Sequence, residues 1–186
     1  MQISDEHLMS QVKGGNPEML NLIFNRYSKR IYAYFLRSTL AVAESDDLTQ
    51  ELFLRVLRYR KSYKDGQSVE IWIFQIARNM LKDHFGKLKV HRDKFTDLSS
   101  ITEHNDDSYP DQQERERQLY SAMNNLSDEK RELLVLSKFE GMKYEQIALL
   151  KQTTVANIKV QVHRVLKELK DLYFKTEQIN QQTWKR

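Results

Sequence analysis

Cysteine is absent from the 186 residues, and glycine and proline occur only 5 and 2 times. The lack of cysteine excludes a disulfide framework and a thiolate metal site. Because glycine and proline are scarce and helix formers abound, we expect an all-α protein. No apolar run approaches the roughly 20 residues that a membrane span needs. The opening stretch MQISDEHLMS lacks the basic and apolar parts of a signal peptide, so we expect a cytoplasmic protein without a membrane span.

The residue types that build catalytic and metal sites are also sparse. The five histidines lie at positions 7, 84, 91, 104 and 163, and only the pair at 84 and 91 has even a loose helical spacing. There is no H-E-x-x-H motif, no glycine-rich phosphate loop and no nucleophile–base pair. A helical metal-dependent phosphohydrolase built on Asp83 and His84 is therefore disfavoured. We expect no catalytic residue, no metal and no cofactor, and hence a protein that is not an enzyme.

Charge is distributed unevenly along the chain, although the net charge is only +4. Residues 1–95 hold 16 Lys and Arg against 11 Asp and Glu, a balance of +5. Residues 96–120 hold 2 against 7, and residues 121–186 hold 12 against 8. Two basic lobes separated by an acidic segment are consistent with a polyanion that is contacted twice.

Helix signals divide the chain into two small helical domains. Residues 96–113 have little apolar content, no periodicity, a proline and several acids, which predicts a flexible acidic linker between domains at 5–95 and 114–175. In the second domain a helix from Glu114 to Leu126 is followed by another behind Ser127. The helices predicted in the first domain are Asp5–Lys13 behind Ser4, one from Pro17 to about Leu40 behind Asn16, Asp46–Arg60 behind Ser45, and one from 69 to about Phe85 behind Ser68. Beyond Leu172 the polar tail is expected to fray.

The stretch from Leu133 to Leu169 predicts a helix-turn-helix. A first helix ends at Gly141, which can take the left-handed conformation, and a short second helix follows over Lys143–Leu150. Thr154 can cap a third helix with an apolar stripe on one side. The other side carries the polar residues Asn157, Lys159, Gln161, His163, Arg164 and Lys167. Asn and Gln can read adenine edges, and Arg and Lys can bind guanine edges or phosphates, so this helix suits a DNA major groove.

A packed helical hairpin without DNA-binding function remains the alternative on spacing alone, because surface helices commonly carry Lys, Arg and Gln. Ala148 favours the DNA-binding reading, since a small residue where two helices cross allows close approach. Gln152 weighs slightly against it. The tight turn favours glycine, and a non-glycine residue with positive φ costs about 1 kcal/mol.

Three ordered motifs resemble the conserved regions of bacterial RNA polymerase sigma factors, from about Leu8 to Leu172 with a gap over the linker. The segment 47–53, DLTQELF, resembles the signature of the second conserved region, and WIFQIARN at 72–79, with Asp83, resembles a second helix of that region. Residues 133–169 resemble the fourth region, through EG at 140–141, EQIA at 145–148, NIK at 157–159, and Arg164. With only a linker between the two regions, the chain is similar to the small extracytoplasmic-function (ECF) group.

The resemblance implies a function for each exposed face. It implies a factor that binds core RNA polymerase through the clamp helices of the largest subunit and the flap of the second subunit, and directs it to promoter DNA. The residues implied to bind core polymerase are Asp47, Gln50, Glu51 and Phe53. Those implied to bind and open the minus-ten element are Lys61, Tyr63, Lys64, Trp72, Gln75, Arg78, Asn79 and Lys82. Those implied to read the minus-thirty-five element are Lys143, Tyr144, Thr154, Asn157, Lys159, Gln161, His163 and Arg164.

From the residues alone, Trp72 is more readily a core side chain than a platform for unpaired bases, and the charges of residues 46–60 could simply complement the helix dipole.

Two departures from the family pattern affect the DNA-reading surface. Lys151-Gln152-Thr153 replaces the usual Leu-Gly-Ile turn, and Asn157 replaces the usual Thr. An anti-sigma factor is a further partner that the resemblance implies as an option. The alternative function is a two-domain helix-turn-helix regulator that acts without being a polymerase subunit.

Overall fold

The computed structural model describes residues 3–92 and 110–183, with side chains described for 3–88 and 114–175. Within those residues the fold is all-α, as predicted, with no strand. The chain divides into two compact units, Met1–Ser100 and Ile101–Arg186. The helices of the first unit are α1 (Asp5–Lys13), α2 (Leu20–Thr39), α3 (Val42–Tyr59) and α4 (Val69–Arg92); those of the second are α5 (Pro110–Asn124), α6 (Asp128–Leu134), α7 (Tyr144–Lys151) and α8 (Val155–Thr183).

The first unit is built around α2, whose apolar stripe packs against α3 and α4. Tyr34 is fully buried and its ring meets that of Phe74 edge-on, with 5.2 Å between centroids. Tyr27 is also buried and donates its hydroxyl proton to Asp5 Oδ2 over 2.5 Å, which fastens α1 to α2. Both tyrosines therefore serve packing within the first unit.

One predicted helix start in this unit is wrong, and another is correct in position but lacks its predicted side-chain cap. Short 3₁₀ turns precede α2, at Pro17–Met19, and follow α3, at Arg60–Ser62. Asn16 makes no side-chain capping hydrogen bond in the described structure. Ser45 is buried inside α3 instead of capping it, and its hydroxyl donates to the Ala41 carbonyl over 2.5 Å. A serine can satisfy its hydroxyl on the carbonyl four residues earlier, so its presence does not mark a helix start. By contrast, Ser4 Oγ accepts from His7 N–H at 3.2 Å and Ser68 Oγ from Ile71 N–H at 3.3 Å, as predicted.

Several helices extend beyond their predicted ends. The structure continues α4 past Phe85 to Arg92, and α8 past Leu172 to Thr183, so the predicted fraying begins too early. No proline interrupts either extension, and Gln, Glu and Lys favour helix. The helix α5 begins at Pro110, inside the predicted linker, because proline is well suited to the first helical turn. Most of the predicted linker lies outside the described residues.

The second unit packs α5, α6 and α7 on α8. Its core includes Met123, Leu133, Leu136, Ile147 and Ile158, all almost fully buried. After α6 the chain forms a π-helical turn, Val135–Phe139, and then reverses at Gly141. The φ angle of Gly141 is 63°, the left-handed conformation that the sequence predicts there.

Candidate functional site

One face of α3 brings together the three polar residues predicted to bind polymerase. At about 100° per residue, Asp47, Gln50 and Glu51 fall within one quarter or so of the helix circumference. Asp47 and Gln50 are exposed and Glu51 is half-buried. Leu54, 59% exposed, lies in the middle of the same face. The sequence analysis missed Leu54, although its spacing of four from Gln50 and three from Glu51 could have placed it there.

One of the two acids of this face, Glu51, is held in place by its own helix. Glu51 Oε1 accepts a hydrogen bond from Arg55 Nε at 2.9 Å, and this bond lowers the pKa of the Glu51 carboxyl. Arg55 also lies 3.9 Å from Asp83 of α4, which connects the two helices. Glu51 therefore remains a carboxylate in a restrained orientation at neutral pH.

Phe53 does not share that exposed face. It is 6% exposed, and its ring meets the Phe24 ring edge-on with 4.7 Å between centroids. The position is about 100° away from Leu54 around the helix, toward α2. Its prediction as a residue that touches polymerase is contradicted by this burial, since the side chain presents almost no surface to a partner.

A second polar face runs along α4. Gln75 Nε2 donates to Asn79 Oδ1 over 3.2 Å, so two residues predicted to bind the minus-ten element form one amide pair. Asn79 and Lys82 are exposed, while Trp72 and Gln75 are half-buried. All four lie on neighbouring sides of the helix, at spacings of three, four and seven residues. Arg78 is half-buried on the flank of this face.

Tyr63 supports this face from beneath and is not part of its surface. The side chain is 1% exposed, and its hydroxyl donates to the Gln67 carbonyl over 2.7 Å. Burial raises the pKa of the Tyr63 phenol. Its ring contacts the Trp72 ring edge-on at 5.4 Å, which fixes the orientation of the tryptophan. Tyr63, which the resemblance places among the residues that bind the minus-ten element, thus presents almost no surface to DNA, whereas Lys61 and Lys64 beside it are exposed.

The predicted helix-turn-helix is present in the second unit. Ile147 and Ala148 of α7 are buried, and α7 packs on α8. Between the helices Gln152 takes φ 53° and ψ 50°, so a non-glycine residue does occupy the left-handed position of the turn. Thr154 Oγ1 accepts from Asn157 N–H at 3.2 Å, which confirms the predicted cap of α8.

An ion pair stabilises the end of α7 immediately before this turn. Lys151 Nζ lies 2.8 Å from Glu132 Oε2 of α6, and the two side chains are only 13% and 9% exposed. Lys151 stands where the family's turn usually has leucine, and the buried carboxylate of Glu132 balances its charge. The sequence analysis did not find this pair, because the partners are 19 residues apart.

The exposed face of α8 is basic at its edges. Lys159, His163 and Arg164 are exposed, and Asn157, also exposed, uses its amide to donate to Thr153 Oγ1 over 2.9 Å. Gln161 is half-buried and lies on the flank, so its predicted place on the opposite face is wrong. Val160 is 48% exposed. At the start of α7, Lys143 is exposed and Tyr144 is half-buried.

The side chains of the described residues contain no group of three or more His, Cys, Asp or Glu that could hold a metal ion. Among the helices of the same residues, none is long and apolar enough to cross a membrane. The arrangement is thus three exposed helix faces, on α3, α4 and α8, suited to binding macromolecules.

Two family models match the chain, one for each unit. Sigma-70 region 2 matches residues 23–90, and Sigma-70, region 4 matches residues 116–169. Among curated proteins, the chain is 31% identical over 152 residues to the ECF RNA polymerase sigma factor SigM of Bacillus subtilis (strain 168), covering 81% of this chain and 93% of SigM. It is 28% identical over 170 residues to the RNA polymerase sigma factor CarQ of Myxococcus xanthus, covering 88% and 94%.

A solved structure has the same fold. The sigma factor RpoE, in its complex with the anti-sigma factor NepR from Bartonella quintana, aligns with a TM-score of 0.70 at 22% identity, over 82% of this chain and 94% of RpoE. The chain belongs to the ECF RNA polymerase sigma factors. It is a transcription initiation factor, which binds core RNA polymerase and directs it to promoter DNA.

Proposed function

We propose that the two units divide the work of initiation between them. The unit that includes residues 5–95 binds core polymerase and opens the minus-ten element, and the unit that includes residues 114–175 reads the minus-thirty-five element, with residues 96–113 as the connection. The observation that supports this most is the helix-turn-helix of α7 and α8, with a basic exposed face, which among the described residues occurs in the second unit alone. The protein acts in the cytoplasm, where RNA polymerase transcribes, and it acts by binding rather than by catalysis.

The α3 face carries the contact with the polymerase clamp helices in this proposal. Asp47, Gln50 and Glu51 surround the exposed Leu54, so an apolar centre has a polar rim. Protein interfaces commonly have this composition, and the apolar centre supplies most of the binding energy. Dipole complementarity would account for acids at the start of the helix, but it gives no reason for an exposed leucine among them.

The α4 face takes the opened strand of the minus-ten element. Asn79, restrained by Gln75, presents an amide that can hydrogen-bond the edge of an unpaired base, and Trp72 offers a partly exposed ring for stacking. Extruding a base costs a few kcal/mol, and stacking together with hydrogen bonds recovers a comparable amount. Lys61, Lys64 and Lys82 supply phosphate contacts that hold the strand without selecting sequence.

In the second unit, Lys159 and Arg164 of α8 and Lys143 before α7 bind the phosphates that flank the upstream element. Such contacts fix the register of the helix in the groove. Thr154 contributes by capping the helix that enters the groove. An anti-sigma factor is a further proposed partner, because RpoE, which has the same fold, was solved in complex with one.

The test of the function is run-off transcription with bacterial core polymerase on fragmented DNA from the source organism. Discrete transcripts that require the protein are expected, and their start sites define the promoter.

Glu51→Gln should reduce these transcripts and core affinity, because it removes a charge from the α3 face. Asp46→Asn removes the same charge about 140° away from Glu51 on the same helix and should leave both unchanged. If the two substitutions had equal effects, core binding would depend on the net charge of the protein and not on the position of that charge on the α3 face.

A further inference from the structure

Two apolar residues lie in the first two turns of α8 on the side that faces away from its own domain. The inward side is set by Ile158, Val162 and Val165, all buried. At about 100° per residue, Val160 lies some 200° from Ile158, which is opposite the core. Ala156, one turn earlier, is exposed in nearly the same direction. Over the first two turns of α8 the residues at the centre of the exposed face are therefore small and apolar. Arg164, one turn after Val160, and Lys167, two turns after it, continue the same side of the helix with cations, whereas Lys159 lies about 100° from Val160.

The amide side chains of α8 do not occupy this central position. Asn157 lies about 100° from Ile158 and donates its amide to Thr153 Oγ1, while Gln161 is half-buried on the flank nearer the core. If α8 enters a major groove with its exposed face toward the bases, Val160 meets the groove floor before either amide does. Lys159 and Arg164, on either side of it, are placed to reach phosphates.

An apolar group at the floor of the major groove has its largest apolar counterpart in thymine. Among the four bases, only thymine displays a methyl group there; cytosine presents just a C5–H, and the edges are otherwise dominated by hydrogen-bond donors and acceptors. Facing any of those, a valine would desolvate them without offering a hydrogen bond, which is unfavourable. An exposed valine is unremarkable by itself, but this one lies at the centre of the first two turns of a helix face that also carries cations.

We propose that Val160, assisted by Ala156, reads thymine by packing against its C5 methyl group in the upstream promoter element. The inference rests on the proposed function of the second unit and adds the base and the atom that this unit selects. It predicts sequence preference from an apolar contact at a position away from the two amide side chains, Asn157 and Gln161, of α8.

The test replaces each thymine of the upstream element in turn by deoxyuridine, which lacks only the methyl group. Holoenzyme is assembled from core polymerase and the full chain, on a promoter located by the run-off transcripts. We expect one substitution to weaken binding about fourfold, the value of one buried methyl group. With Val160→Ala that same substitution should have little effect, because the contact is already lost. Leu149→Ala, which removes an even more exposed apolar side chain (68%) from α7, should retain the full sensitivity.

Every outcome of this experiment either supports or overturns the inference. The inference is supported if promoter binding depends on the methyl group of one thymine and if Val160→Ala abolishes that dependence. Normal transcription with no methyl-sensitive thymine, or with sensitivity unchanged by Val160→Ala, overturns the inference and leaves the proposed function intact. A loss of core affinity in Val160→Ala would mean that the residue contacts a protein, and would also overturn it. Absence of any protein-dependent transcript would overturn the proposed function, and the inference with it.

Discussion

Replacing Lys151 by methionine is expected to destabilise the second unit by about 3 kcal/mol, because the Glu132 carboxylate then loses its ammonium counter-charge in a buried position. Glu132 is 7% exposed, and its Oε2 lies 2.8 Å from Lys151 Nζ. Methionine keeps most of the length of the lysine stem, so little packing is lost. The cost arises mainly from losing this 2.8 Å charge-assisted contact to a carboxylate that stays buried.

An exposed ion pair in the same unit provides the matched control. Lys130 Nζ lies 2.6 Å from Glu168 Oε2, but the side chains are 46% and 38% exposed. Exposed pairs of this kind contribute about 0.2–1 kcal/mol. Lys130→Met should therefore cost less than 1 kcal/mol, although it removes the same charge and nearly the same atoms. The Nζ–Oε2 distance is similar in the two pairs, so the expected difference in lost stability comes from the difference in burial.

Amide hydrogen exchange of the full chain is the suitable assay, because the two units need not unfold together and a single melting curve would mix them. Exchange of the amides of α6 and α7 should accelerate by about two orders of magnitude in Lys151→Met, which corresponds to the expected 3 kcal/mol at about 1.4 kcal/mol per tenfold change. Amides of the first unit serve as an internal reference. Combining Lys151→Met with Glu132→Gln should cost less than the sum of the two single changes. Additive losses, or a cost no larger than that of Lys130→Met, would refute the reasoning.

Three further predictions follow from local geometry. Gln152→Gly should stabilise the second unit by up to about 1 kcal/mol in the same exchange assay, since glycine relieves the left-handed strain but loses more chain entropy on folding; a destabilised variant would contradict this. Burial, and then the hydrogen bond and charge of Asp5, raise the pKa of Tyr27 above its ordinary 10.0, so stability is retained below pH 10 and falls above it. Urea unfolding of Tyr27→Phe should show a smaller loss over that window, and an unchanged loss would dismiss Tyr27 as the cause. Asn79→Ala should impair promoter opening, read by permanganate reactivity of unpaired thymines, more than initial binding; equal losses would count against its contact with a flipped base.

The helices and the helix-turn-helix were predictable because they depend on local signals. Thr154 caps α8 and Gly141 takes positive φ as the sequence predicts, since each depends only on residues a few positions away. Tyr63 and Phe53 were misjudged because motif membership does not show which element covers a side chain. The first is buried under Trp72, and the second packs on Phe24. Both contacts join separate helices or a loop and a helix, and their existence depends on the tertiary packing.

The exposed apolar residues were missed for a related reason. In a helical stripe, leucine and valine are normally assigned to the core, so Leu54 and Val160 attract no functional interpretation from type alone. Their significance appears only when the buried residues define which side of α3 and α8 faces inward. Once that side is known, each lies near the centre of the outward face, among the polar residues that the motifs had already singled out.

The unusual turn sequence shows how a fold tolerates departures from its family's pattern. At Lys151 a charge stands where the family usually has leucine, and a carboxylate 19 residues earlier compensates for it. At Gln152 no comparable substitute exists, because only glycine avoids the steric cost of positive φ, and the backbone adopts φ 53° nevertheless. The two departures thus differ in kind. A displaced charge can be balanced by a partner elsewhere, whereas backbone strain must be offset by the packing of α7 on α8. Ala148, buried at 5% exposure beside that packing, is therefore a position where a larger side chain should destabilise the turn more than the change in volume alone predicts.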